Sequence, residues 1–361
     1  MTRPRAIRPA PLNRLGDAVA TIRDAQHLAR FSADSLPDPP PEGRWGSDVL
    51  GPDYEARTLP LGEDAEGDVV TTLVRYRPEG RRPVRRPAFA VLYVHGWTDY
   101  FLHTELGPMW AGLGGALYAV DLRKYGRSLR VHQTPGYTAD LATYDDDLAA
   151  AIDAVADDVG ALPLVIMAHS TGGLTVPLWA HRHPGRLAAL VLVSPWLELQ
   201  GSQLMRTLSG PVIREIARAQ PLRPLPTVDP GFYHRTISAD QDGEWPLVEA
   251  WRPEHGFPVR YGWLSAILAG HAQVAAGLRI DAPILLLRSA RSFIAPVWDE
   301  EMRRSDVVLE VDVIAERALR LGPLVTVATI EDALHDVVLS PRPVRDAAYA
   351  VVGRWATAYI R

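Results

Sequence analysis

Between Ala88 and Val193 the chain alternates short, almost wholly apolar runs with longer amphipathic ones, and this leaves few folds open. Ala88–Val94, Ala116–Leu122, Leu162–Met167 and Leu187–Val193 read as strands. Residues 101–112, Asp140–Asp158 and a segment from Thr171 read as helices, and Leu141, Tyr144, Leu148, Ile152 and Val155 share one face of the second. Strands that are apolar on both faces and joined by helices form a parallel sheet covered on both sides. The alternation stops at Trp196. It resumes with a strand at Ile284–Arg288, a helix near Val311–Arg320, a strand at Leu324–Ile330 and a final helix over Pro343–Tyr359.

One interrupted α/β domain accounts for this pattern better than two tandem domains. The expected division is an N-terminal extension over 1–53, a core over 54–195 and 276–361, and an inserted helical lid over 196–275. In the extension, Asn13–Phe31 has helical spacing, and Pro37, Pro39, Pro40 and Pro41 impose an extended linker. Tyr54–Leu61 and Asp68–Tyr76 read as strands joined by a turn over Gly62–Gly67.

Composition removes several function classes. Of 361 residues, 47% are hydrophobic and 22% charged, which excludes a disordered chain. A formal net charge of -5 gives no basic field for nucleic acid. The chain has no cysteine, so disulfides, thiolate metal sites, iron–sulfur clusters and a cysteine nucleophile are excluded together. The apolar runs 161–168 and 283–287 fall far short of the ~20 residues that a bilayer span needs. Met1–Ala20 lacks the apolar core of a signal peptide. A cytoplasmic protein without cofactor, metal or stable membrane insertion is expected, and the extension could bridge the subunits of a homodimer.

Three loops at strand ends carry chemistry. Ala168-His169-Ser170-Thr171-Gly172-Gly173 follows one apolar strand and opens an apolar helix, the context of a serine nucleophile on a sharp, strained turn. Small residues must flank such a turn, and Ala168 and Gly172 do. The Thr171 amide, at a helix start, could donate to an oxyanion. Val94-His95-Gly96-Trp97 ends another strand and would aim the Trp97 amide at the same point, with His95 as a structural hydrogen bonder. Ala333-Leu334-His335-Asp336 precedes the last helix, and His335 alone among the histidines is placed to serve as base to Ser170. His181 and His183 have no evident third ligand. Gly112-Leu113-Gly114-Gly115 precedes a strand rather than opening a helix, so it reads as a turn.

These motifs resemble those of the α/β-hydrolase superfamily, within it the monoglyceride-lipase and serine-aminopeptidase-like branch. The resemblance rests on His95-Gly96-Trp97, Asp121-Leu122-Arg123-Lys124-Tyr125-Gly126-Arg127-Ser128, His169-Ser170-Thr171-Gly172-Gly173 and His335-Asp336, and it covers residues 54–195 and 280–361. It implies a mostly parallel sheet with helices on both faces and a triad in the order Ser, acid, His. Ala168 stands where the family has glycine. Ala290 stands where the acid is expected, just beyond Ile284–Arg288. Asp306, just before the helix near Val311, is the favoured acid and Asp299 the second choice, with 291–305 an inserted loop. Ser170, His335 and Asp306 would then cleave a carboxylic ester, with Trp97 and Thr171 as oxyanion donors and no cofactor.

The insertion carries Trp196, Phe232, Tyr233, Trp245, Trp251, Tyr261 and Trp263, part of which would line an acyl pocket. Tyr100, His169 and Trp196 are the expected substrate-binding residues. An apolar ester, lactone or acylglycerol-like small molecule is preferred. Three alternatives stay open: an aminopeptidase holding the amine on Asp240, Asp242 and Glu244, an acyltransferase, and a non-catalytic binding protein suggested by Ala290.

Overall fold

The computed structural model describes residues 36–78, 86–199, 203–226 and 229–360. The helical spacing over Asn13–Phe31 lies outside the described residues. Among the described residues, nine strands form one sheet in the order β1-β2-β3-β5-β4-β6-β7-β8-β9. They are β1 Gly46–Asp48, β2 Gly51–Asp64, β3 Gly67–Tyr76, β4 Phe89–Val94, β5 Gly115–Asp121, β6 Leu164–His169, β7 Ala189–Val193, β8 Ile284–Ser289 and β9 Val325–Ile330. β1, β2 and β3 are antiparallel to their neighbours, and the six remaining strands run parallel. The helices are α1 Leu106–Gly112, α2 Tyr144–Val159, α3 Gly172–Arg182, α4 Gln203–Ala219, α5 Phe232–Ile237, α6 Tyr261–Ala276, α7 Val311–Ala318 and α8 Arg342–Tyr359. None is long and apolar enough to cross a membrane among the described residues.

The sheet is buried on both faces because its central strands are apolar at every position. In β4, Ala90, Leu92 and Val94 join one core with Leu148 and Val155 of α2 and Leu174 and Leu178 of α3. Val91 and Tyr93 point the other way, into a second core with Leu106 and Trp110 of α1 and Val352 and Trp355 of α8. The mostly parallel sheet with helices on both faces is therefore the expected fold.

Three local readings need correction. The sheet reaches into the region read as extension, since β1 and the start of β2 lie within 46–53. The helix read over 101–112 begins only at Leu106. The preceding loop has other partners: the Phe101 amide donates to Asp121 Oδ1 at 2.8 Å and the Phe101 carbonyl accepts from Arg127 at 3.1 Å. Helix α2 begins at Tyr144, after a short 3-10 turn over Leu141–Thr143 capped by Asp140.

The strand order creates the site. β4 lies between β5 and β6, so the chain leaves β4 in one direction and returns to its other side as β6. Loops diverge at such a switch point and leave a crevice beyond the carboxyl ends of the strands. His95-Gly96-Trp97 leaves β4 there and Ser170 leaves β6, with Val94 and Ala168 paired in register.

Candidate active site

Ser170 holds φ at 51°, a left-handed conformation that a non-glycine residue adopts only under constraint. The flanking residues explain how. A Cβ on Gly172 would overlap the His95 carbonyl oxygen, and one on Gly96 would sit 3.0 Å from Ser170 Cβ. The β4 and β6 turns thus approach backbone to backbone. The strained turn aims the side chain across the sheet end: Ser170 Oγ faces His335 Nε2 at 3.1 Å, while the Ser170 carbonyl accepts from the Trp196 amide at 2.9 Å.

His335 Nδ1 donates to Asp306 Oδ2 at 2.9 Å. Asp306 is fully buried, and its Oδ1 accepts the amides of Val308 and Leu309, each at 2.8 Å. The 291–305 loop returns to β-bridge Ser292 with Asp306, which aims that carboxylate at the histidine. Asp299 instead caps a surface 3-10 turn, its carboxylate accepting from the Glu301 amide at 2.8 Å. Ala290 only donates its amide to Ile330. The structure thus brings Ser170, His335 and Asp306 into one hydrogen-bonded line and leaves Asp299 outside it. A hydroxyl on an imidazole whose second nitrogen is held by a buried carboxylate can lose its proton to that imidazole.

The Trp97 and Thr171 amides stand on the two turns beside Ser170, and among the described residues neither donates a hydrogen bond. His95 is structural: Nδ1 donates to the Gly96 carbonyl at 2.7 Å and Nε2 accepts the Leu122 amide at 3.0 Å. Burial lowers its pKa, which suits a neutral ring with one donor and one acceptor.

The expected substrate-binding residues separate into two groups. Trp196 is half-buried and belongs to an aromatic wall, 5.9 Å between ring centroids from Trp263, which packs 3.9 Å from Trp97. Tyr100 and His169 lie deeper, each only 1% exposed. The Tyr100 hydroxyl accepts the Val248 amide at 2.9 Å, and burial pushes its pKa up to about 12. It packs beneath the inserted segment, edge-on to Trp251. The His169 ring points between two buried carboxylates, 3.5 Å from Asp99 and 3.6 Å from Asp336.

This second polar cluster escapes a reading of the sequence. Asp336 Oδ2 accepts from His103 Nε2 at 2.7 Å, and Asp99 Oδ1 accepts from Arg252 Nε at 3.2 Å. Burial acts to raise both carboxyl pKa values. The neighbouring Arg252 guanidinium and imidazoles outweigh it and hold both below the usual carboxylate range, Arg252 first for Asp99 and His169 first for Asp336. Asp99, His169 and Asp336 have metal-ligand spacing. A divalent ion there would share a dry pocket with the Arg252 guanidinium, so the cluster suits buried ion pairing with Arg252 better. Asp336 was legible as a neighbour of His335, but nothing in the sequence marks Arg252, whose partner lies far away along the chain.

Comparison with known proteins bears on the family and the fold. The profile of the family described as serine aminopeptidase, S33, matches residues 85–297. A monoacylglycerol lipase of Mycolicibacterium smegmatis is 25% identical over 225 residues, 60% of this chain and 74% of the relative. Lipase LipV of Mycobacterium tuberculosis is 29% identical over 254 residues, 66% of this chain and 85% of that one. Among solved structures, a soluble variant of monoglyceride lipase from Saccharomyces cerevisiae superposes with a TM-score of 0.59 at 14% identity, covering 88% of this chain and 98% of the other. The monoacylglycerol lipase of Paleococcus ferrophilus gives 0.54 at 16% identity, with 84% and 99% coverage. At such identities the structural likeness speaks for the fold alone, whereas the profile spans more than half of the chain. With its α/β-hydrolase sheet and a lipase-like set of relatives, this chain belongs to the serine aminopeptidase S33 family.

Proposed function

We propose that the protein is a serine hydrolase that cleaves a carboxylic ester with an apolar acyl group. The observation that carries this is the continuous line from Ser170 Oγ to His335 Nε2 at 3.1 Å and from His335 Nδ1 to Asp306 at 2.9 Å. Ser170 Oγ attacks the ester carbonyl as His335 Nε2 takes its proton. The carbonyl π pair moves onto oxygen, where the Trp97 and Thr171 amides receive it. The tetrahedral adduct collapses, the C–O bond to the alcohol breaks, and His335 gives its proton to the leaving oxygen. Water then attacks the acyl-serine with the same base, releasing acid and restoring Ser170. Asp306 keeps the imidazole in the Nδ1–H tautomer and stabilises its cation.

The aromatic wall of Trp97, Trp196 and Trp263 favours an apolar acyl chain such as that of an acylglycerol, with residues 196–275 as the lid. An aminopeptidase would need free carboxylates at the site. Asp242 is instead paired with Arg235 and Glu244 with Arg345, while Asp240 is exposed. The test is a panel of p-nitrophenyl and monoacylglycerol esters of increasing chain length. Ser170→Ala should lose about 10³-fold or more in kcat. A Ser170→Ala enzyme as fast as wild type would refute the reading.

A further inference from the structure

The turn that presents the Trp97 amide is not held by the sheet alone. Thr98 sits at φ 48°, strained for a non-glycine residue. Two groups of the inserted segment grip it. The Phe257 amide donates to Thr98 Oγ1 at 2.9 Å, and the Arg252 guanidinium donates to Asp99 at 3.2 Å. Arg252 and Asp99 side chains are 4% and 1% exposed, so this ion pair crosses between segment and core without solvent. Arg252 also lies over the Tyr233 ring, 4.6 Å from its centroid, and that ring stands edge-on to His335 at 5.0 Å. One guanidinium therefore touches both the strained turn and the aromatic that backs the imidazole.

We propose that Arg252 is a positioning residue through which the inserted segment sets the Trp97–Asp99 turn, and with it the amide aimed at the reacting carbonyl oxygen. The inference rests on the serine-hydrolase reading above. It assigns the segment a part in the chemical step, not only in covering the substrate. Small displacements matter here because an oxyanion donor acts over hydrogen-bond range, and losing one costs about 10²- to 10³-fold in kcat.

The test is steady-state kinetics of the full chain on p-nitrophenyl butyrate, whose short acyl group makes little use of the acyl pocket. Arg252→Gln should lower kcat about 10- to 100-fold while KM stays within about threefold. Arg252→Lys, which keeps the charge but not the planar fork, should recover part of that loss. The double variant Arg252→Gln/Asp99→Asn removes both buried charges. It should regain the thermal midpoint lost by Arg252→Gln without regaining kcat, and it carries the test if the single variant fails to fold. Unchanged kcat in Arg252→Gln, a loss confined to KM, or recovery of kcat in the double variant would each overturn the proposal. An active wild type with an inactive Ser170→Ala upholds the hydrolase reading whichever way Arg252 falls, whereas a wild type without esterase activity sinks both.

Discussion

Two buried arginines grip the same loop at different points. Arg127 holds its far end: the guanidinium donates to Asp121 Oδ2 at 2.8 Å, to both oxygens of Asp48 at 2.6 and 2.7 Å, and to the Phe101 carbonyl. Arg252 holds its near end through Asp99 alone. Arg127 sits in a local turn, and its guanidinium also lies 5.2 Å from the centroid of the Trp251 ring in the inserted segment. Gly126, at φ 47°, allows that turn, since a Cβ there would overlap the Asp121 carboxylate. Arg252 comes from a segment inserted between β7 and β8. Arg127 is part of the sheet-end turn, and Arg252 couples the inserted segment to the site.

The two should therefore fail differently when broken. Arg127→Ala leaves Asp121 and Asp48 buried without their cation and is expected to cost about 3–5 kcal/mol of stability. A urea midpoint unchanged from wild type would count against this.

Acid should weaken the inserted side. His271 on α6 is buried and donates to the Trp196 carbonyl at 2.9 Å, and burial lowers its pKa to about 4. Its unfolded value is near 6.5. Between these values the unfolded chain binds more protons, so stability is complete above pH 6.5 and falls as pH drops toward 4. The full loss is about 3 kcal/mol as an upper bound. Urea midpoints at pH 7.5, 5.5 and 4.5 check this. The decline should flatten in His271→Gln, and an equally steep decline in that variant would assign it elsewhere.

The smallest effect belongs to the second grip on the turn. Thr98→Val removes the acceptor of the Phe257 amide and should cost about 1–2 kcal/mol, with kcat lowered several-fold at constant KM. A variant losing stability but no rate would show that the turn keeps its shape without this contact.

The same contrast explains what the sequence disclosed. The elbow was legible because a strained serine demands small neighbours, and Ala168 and Gly172 flank it two residues to either side. The parallel strands were legible because both of their faces are buried. The Asp121–Ser128 motif was legible only as part of the family resemblance, and the ion pair between Asp121 and Arg127 was not read from it. Asp306 was harder, because the chain makes a detour through 291–305 before returning to the end of β8, yet its place before α7 pointed to it. The short strand β1 was not legible, since its three residues carry no periodicity. Arg252 and the Asp99–His169–Asp336 cluster were not legible either. Their charges look like those of any solvated loop until the fold packs four separate turns together.

The central claim is that Ser170 is a nucleophile activated by His335 and Asp306. A fluorophosphonate probe tests it most directly, because it reports on the attacking oxygen whatever the natural ester. Intact-mass measurement after incubation should show a single adduct, mapped by peptide sequencing to Ser170. The adduct should be absent in Ser170→Ala and form at least about 10²-fold more slowly in His335→Ala. Labelling at another residue, or an undiminished rate in His335→Ala, would contradict the account.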